Sequence, residues 1–123
     1  MGNVLSNSYR FGCNSTPSNV FHKQLSVETD FVDSPIRHEK FLIYNDGEED
    51  ITVDVDGSKD DSAWVQVGTV AVPAKTSKLL TVNYALGGGT ADVYAYGRMQ
   101  AYTASGESTG RVETIDASSQ YRR

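Results

Sequence analysis

Period-two alternation in short runs, broken by turn residues at roughly ten-residue intervals, constrains this chain more than any other feature. In Ile51-Thr-Val-Asp-Val-Asp56, the apolar Ile51, Val53 and Val55 alternate with Thr52, Asp54 and Asp56. Successive side chains of a strand point to opposite faces, so this segment has one face for a core and one for water. The longest alternating run is Ala91 to Thr103. It sets Val93, Ala95, Gly97, Met99 and Ala101 against Tyr94, Tyr96, Arg98, Gln100 and Tyr102. Leu25-Val27-Thr29, Phe41-Leu-Ile-Tyr44, Trp64-Val-Gln-Val67, Lys78 to Tyr84 and Arg111 to Ile115 supply further strands, the last as an edge. Asp33-Ser-Pro35, Asn45-Asp-Gly47, Asp56 to Asp61, Pro73 to Ser77, Gly87-Gly-Gly89 and Ser105-Gly106 punctuate them with residues that favour turns. No stretch sustains helical periodicity, so the crossovers of an α/β fold are missing.

The expected class is therefore all-β: a single antiparallel β-sandwich, immunoglobulin-like or jelly-roll-like, with an extended N-terminal arm. The chain has 123 residues, the size of one domain able to bury a two-layer core. Residues 1–23 are rich in Asn, Ser, Gly and Pro and are predicted to form the arm, 24–115 the sandwich, and 116–123 a polar tail. Val4, Leu5, Tyr9 and Phe11 stud the arm with apolar anchors. Trp64 is expected to plug the core, with a position at its rim as the alternative.

Composition limits the partners. The net charge is −5, from 16 acidic and 11 basic residues, which argues against a nucleic-acid backbone or an anionic membrane as the partner. Asp46, Glu48, Glu49, Asp50, Asp54, Asp56, Asp60 and Asp61 crowd into one stretch, a pattern that suits a solvated acidic face. A lone Cys13 rules out an intrachain disulfide. No run approaches the ~20 apolar residues that cross a bilayer, and the N-terminus lacks the basic and apolar regions of a secretory signal.

The residues do not assemble into a catalytic signature. His22 and His38 lie in no metal-ligand spacing, and no Gly-x-Ser-x-Gly elbow is present. Asp54-Val-Asp-Gly57 with Asp60 and Asp61 hints at calcium but lacks the later ligands of that loop. The expectation is a non-enzyme with no cofactor and no metal. Tyr94, Tyr96, Arg98 and Tyr102, on one strand face, are the side chains best suited to contact a partner, since Tyr and Arg carry much of the energy at interfaces.

The stretch Phe41-Leu-Ile-Tyr-Asn-Asp-Gly47, the loop Asp56-Gly-Ser-Lys-Asp-Asp-Ser-Ala-Trp64, the turn Val72-Pro-Ala74 and the strand Asp92-Val-Tyr-Ala-Tyr-Gly97 together carry a resemblance. Over about residues 39–103 the chain resembles the immunoglobulin-like or discoidin-like β-sandwich modules of tailed-bacteriophage structural proteins. The resemblance implies a virion component, assembled in the host cytoplasm, and first a capsid decoration or cement protein. Its partners would be the major capsid protein or other virion subunits, with self-association. A neck or tail connector and a carbohydrate-binding or adhesin module are the alternatives.

Overall fold

The computed structural model describes residues 8–25, 35–84 and 94–121. Eight strands make up the fold: β1 Ser8–Cys13, β2 Ser18–Gln24, β3 Pro35–Asn45, β4 Ile51–Ser58, β5 Val65–Val72, β6 Ser77–Asn83, β7 Tyr96–Thr103 and β8 Ser108–Tyr121. They form two antiparallel four-stranded sheets, ordered β1-β8-β3-β6 and β2-β7-β4-β5. The sandwich class expected from the alternation holds. Its strand order, with the first strand beside the last, is that of a jelly roll rather than of an immunoglobulin-like sandwich.

Alternation builds the core directly. Ile51, Val53 and Val55 of β4, Met99 and Ala101 of β7, and Phe41 and Ile43 of β3 are buried between the sheets. β6 adds Leu80 and Val82, and β8 adds Val112. Gly57 and Gly97 sit directly opposite each other in the β4–β7 register. A Cβ on Gly57 would come within 2.5 Å of the Tyr94 ring, and one on Gly97 within 3.1 Å of Tyr84. These two glycines thus make room for the aromatic rings that close this end of the core.

Two buried polar groups tie the layers together. Asn45, 2% exposed, donates to the carbonyls of Glu49 and Val72 and accepts from Gly47 N and Ser108 Oγ. Its amide is fully used, as burial of a polar group demands. At the other end Glu39 of β3 accepts from Lys23 Nζ of β2 at 2.7 Å and from the Tyr84 hydroxyl at 3.1 Å, an ion pair spanning the two sheets.

Several boundaries differ from the sequence reading. Within the segment expected as an irregular arm, residues 8–13 and 18–24 are strands, one in each sheet. In β1 the alternation is real but short: Tyr9, Phe11 and Cys13 turn inward while Ser8, Arg10 and Gly12 face out. Weak strand formers such as Ser and Gly conceal it. β8, expected as a short edge strand followed by a polar tail, runs to Tyr121, with β1 beside it from Ser108 to Glu113 and β3 along its other side. Its last residues pair with Pro35–Lys40 of β3 through the backbone, which leaves no hydrophobic trace in the sequence. Residues 27–29, 87–89 and 91–93, also assigned above, lie outside the described residues.

Candidate functional site

The outer face of the β2-β7-β4-β5 sheet gathers the polar and aromatic side chains that alternation turns away from the core. Cross-strand register arranges them in rows. His22, Arg98 and Asp56 stand side by side on β2, β7 and β4, and Asn19, Gln100, Asp54 and Thr69 form the next row. In the first row Arg98 Nε donates to Asp56 Oδ2 at 2.9 Å. In the second, Gln100 donates to Asn19 at 3.1 Å and Thr69 Oγ1 to Asp54 Oδ1 at 2.7 Å. Tyr102, one step further along β7, donates its hydroxyl to the other Asp54 oxygen at 3.1 Å.

The β4–β5 loop folds over the start of this face. Ser58 and Asp60 shape it: Asp60 Oδ1 accepts from the backbone N–H of Ser62 and Ala63, and Ser58 Oγ accepts from that of Asp61. Such Asx and Ser bonds replace the ladder where a chain reverses. The N–H of Ala63, then that of Ser62, and the Ser58 hydroxyl hold the Asp60 carboxyl below its ordinary range. Asp61 takes the left-handed conformation, φ 63°, and reaches across β7 to His22 Nε2 at 2.6 Å. Trp64 then lies over β7 with the Arg98 guanidinium 4.4 Å from its ring centre and the His22 ring edge-on at 5.4 Å. Arg98 is therefore held on two sides, by a carboxylate and by an indole.

This corrects the expectation for Trp64, which is half-buried on the outer face and not part of the core. The fold of the loop carries it there. It also divides the residues singled out from the sequence. Tyr96, Arg98 and Tyr102 share the outer face, whereas Tyr94 packs inward against Gly57 and the core. Tyr9 and Phe11 line the inner face of β1, with the Tyr9 ring 5.3 Å from Phe21, so they anchor the chain's own sandwich. Val4 and Leu5 lie outside the described residues. Sequence reasoning missed His22, Asp56, Asp61 and Trp64 as members of this face. The alternation of Asp56 against Val55 was the available signal for one of them.

Burial, first, and the Asp54 carboxylate raise the Tyr102 phenol above its ordinary pKa. The acids considered for calcium are spread over separate partners: Asp54 with Tyr102 and Thr69, Asp56 with Arg98, Asp61 with His22, and Asp60 with its own loop. Among the described residues no group of three or more His, Cys, Asp or Glu is arranged to hold a metal. At the far end of the sandwich, an open depression of about 700 Å³ lies between the β1–β2, β3–β4 and β7–β8 loops, walled by Cys13, Thr16, Gly47, Glu107 and Ser108. Burial raises the Cys13 thiol above its usual pKa, which works against its serving as a nucleophile there.

No family model and no curated protein sequence matches the chain. Among solved structures, PirA superposes with a TM-score of 0.56 at 13% identity, covering 93% of this chain and 94% of that one. The structure of infectious bursal disease virus, Gx strain, aligns with a TM-score of 0.39 at 14% identity, over 89% of this chain and 29% of the viral one. At 13% identity the likeness to PirA is one of fold.

Proposed function

We propose that the protein is a non-enzymatic structural subunit of a virion. It docks on the assembled coat as a decoration protein, through the outer face of the β2-β7-β4-β5 sheet. The observation that carries the docking surface is the Arg98 clamp. A guanidinium fixed between Asp56 and Trp64, with Tyr96 and Tyr102 on the same strand, loses little conformational freedom on binding. Arg, Trp and Tyr held in this way are the residue types that dominate interface energetics. The virion assignment draws on the resemblance over residues 39–103 and, by analogy only, on the jelly roll as an architecture used by capsid and lectin domains.

A carbohydrate-stacking module is less well supported. That reading needs tyrosine rings open on one face, and Tyr94 packs inward against Gly57 and the core while the Tyr102 hydroxyl is held by Asp54.

The test is quantitative mass spectrometry of purified particles together with rebinding of the Arg98→Ala and Trp64→Ala variants. Copy numbers close to those of the coat protein, and rebinding weakened at least tenfold in both variants, are expected. A single ring of copies would move the protein to the neck or tail. Absence from particles would overturn the virion reading, and undiminished rebinding would overturn the docking face.

A further inference from the structure

The four strands at the sheet borders are not alike. β1 is six residues long and carries Arg10; β2 carries His22 and Lys23 and a register shift between Asn19 and Phe21; β6 carries Lys78. Charges of this kind keep sheet edges from pairing with other chains. β5, Val65-Gln-Val-Gly-Thr-Val-Ala-Val72, has neither a charged residue nor a proline across its eight positions. Among the described residues it pairs with β4 alone; its register shift leaves Val67 unpaired between Gln66 and Gly68, and from Gly68 to Val72 the pairing is regular. From Gly68 to Val72 its far side therefore presents backbone donors and acceptors that no described strand pairs.

β6 runs beside β5 across the sandwich, with Val82 against Gly68. This flank thus bears two of the exposed large hydrophobic residues, Val65 at 51% and Leu79 at 53%. The β3–β4 loop and the outer face of β4 discourage contact with their own copy. The chain carries −5, and its acids crowd the β3–β4 loop and the outer face of β4. Two copies approaching by those surfaces repel each other, whereas β5 can face β5 without opposing like charges.

We propose that β5 pairs antiparallel with β5 of a second copy about a two-fold axis, joining two four-stranded sheets into a continuous eight-stranded one. Leu79 and Val65 add apolar contact beside the new ladder. A single strand pair is small beside the ~1,200 Å² of a standard interface, so the dimer is of moderate affinity. The inference does not depend on the proposed docking partner. If both are correct, dimerisation sets two Arg98 clamps on one extended face.

The experiment is sedimentation equilibrium on the full chain and on Val65→Lys, Ala71→Lys and Ile115→Lys. Ala71 is exposed on β5, and Ile115 is 44% exposed on β8 of the other sheet. The wild type is expected to approach twice its 13.4 kDa mass as concentration rises. Each β5 variant should weaken the dimer at least tenfold with its melting temperature preserved, and Ile115→Lys should leave it intact. Hydrogen exchange on the wild type checks the result without relying on variants that fold: β5 amides should gain protection with concentration. A wild type that stays monomeric, a dimer broken by Ile115→Lys but not by the β5 variants, or β5 protection independent of concentration would overturn the proposal.

Discussion

Replacing Lys23 with Met removes an ammonium from the ion pair that joins the two sheets and keeps the length of the side chain. Among the described residues Glu39 then keeps only the Tyr84 hydroxyl, while its own side chain is 4% exposed and that of Lys23 25%. Breaking a buried pair from one side destabilises by about 3–5 kcal/mol, because the remaining charge stays desolvated. The quarter-exposed lysine lets water approach the vacated position, which places the expected loss near the lower bound, about 3 kcal/mol. For a domain of this size that is a fall in Tm of about 12 °C, at about 4 °C per kcal/mol. Lys23→Met combined with Glu39→Gln should recover at least about 1.5 kcal/mol, since the amide is neutral and its oxygen still accepts from Tyr84. Urea unfolding followed by circular dichroism and by Trp64 fluorescence measures each corner of the cycle. A loss below about 1 kcal/mol for Lys23→Met, or a double variant no more stable than the single one, would refute the view that this buried pair ties the two sheets together.

Gly57→Ala should lower stability by about 1–3 kcal/mol, since its Cβ would lie 2.5 Å from the Tyr94 ring; Gly12→Ala, with nothing within 4 Å, should be nearly neutral by thermal melt. Thr114 Oγ1 is buried with no hydrogen-bond partner among the described residues, so Thr114→Val should stabilise by about 1 kcal/mol in the same assay. The raised phenols of Tyr9, through burial first and then Glu39, and of Tyr102 retain their protons in the folded state after the unfolded chain has begun to lose them. Stability is therefore full below about pH 10 and falls as pH rises through the folded-state values. Tyr102→Phe should shallow that alkaline fall in urea melts, and an unchanged slope would contradict the assignment.

How much of this was visible in the sequence depends on whether side chains or backbone did the work. β4 and the inner positions of β7 are written in hydrophobicity, and the structure buries Val53, Val55, Met99 and Ala101 as their alternation requires. The C-terminal half of β8 is held by backbone pairing to β3 and has polar side chains, so composition made it look like a tail. β1 hides its inward Tyr9, Phe11 and Cys13 among residues that favour turns. The candidate face was half legible. The period of β7 put Tyr96, Arg98 and Tyr102 together, but the partners of Arg98 come from β4 and from the loop after it. Register between strands distant in sequence leaves no local signal. Trp64 was misplaced because aromatic bulk points to burial, whereas the Asp60 turn carries the ring over a sheet surface.

The neighbouring of first and last strands has a consequence for the growing polypeptide. β1 pairs with β8 from Ser8↔Glu113 to Cys13↔Ser108, and β2 pairs with β7 from Ser18↔Ala101 to Gln24↔Tyr96. During synthesis β1 and β2 must wait for β8 and β7, and loop closure over such separations makes folding slow. A product ending after Thr103 would lack β8, leaving β1 without its ladder and β3 with only β6 beside it. A chain cut there would expose apolar surface and unpaired strand edges, and would be prone to aggregate.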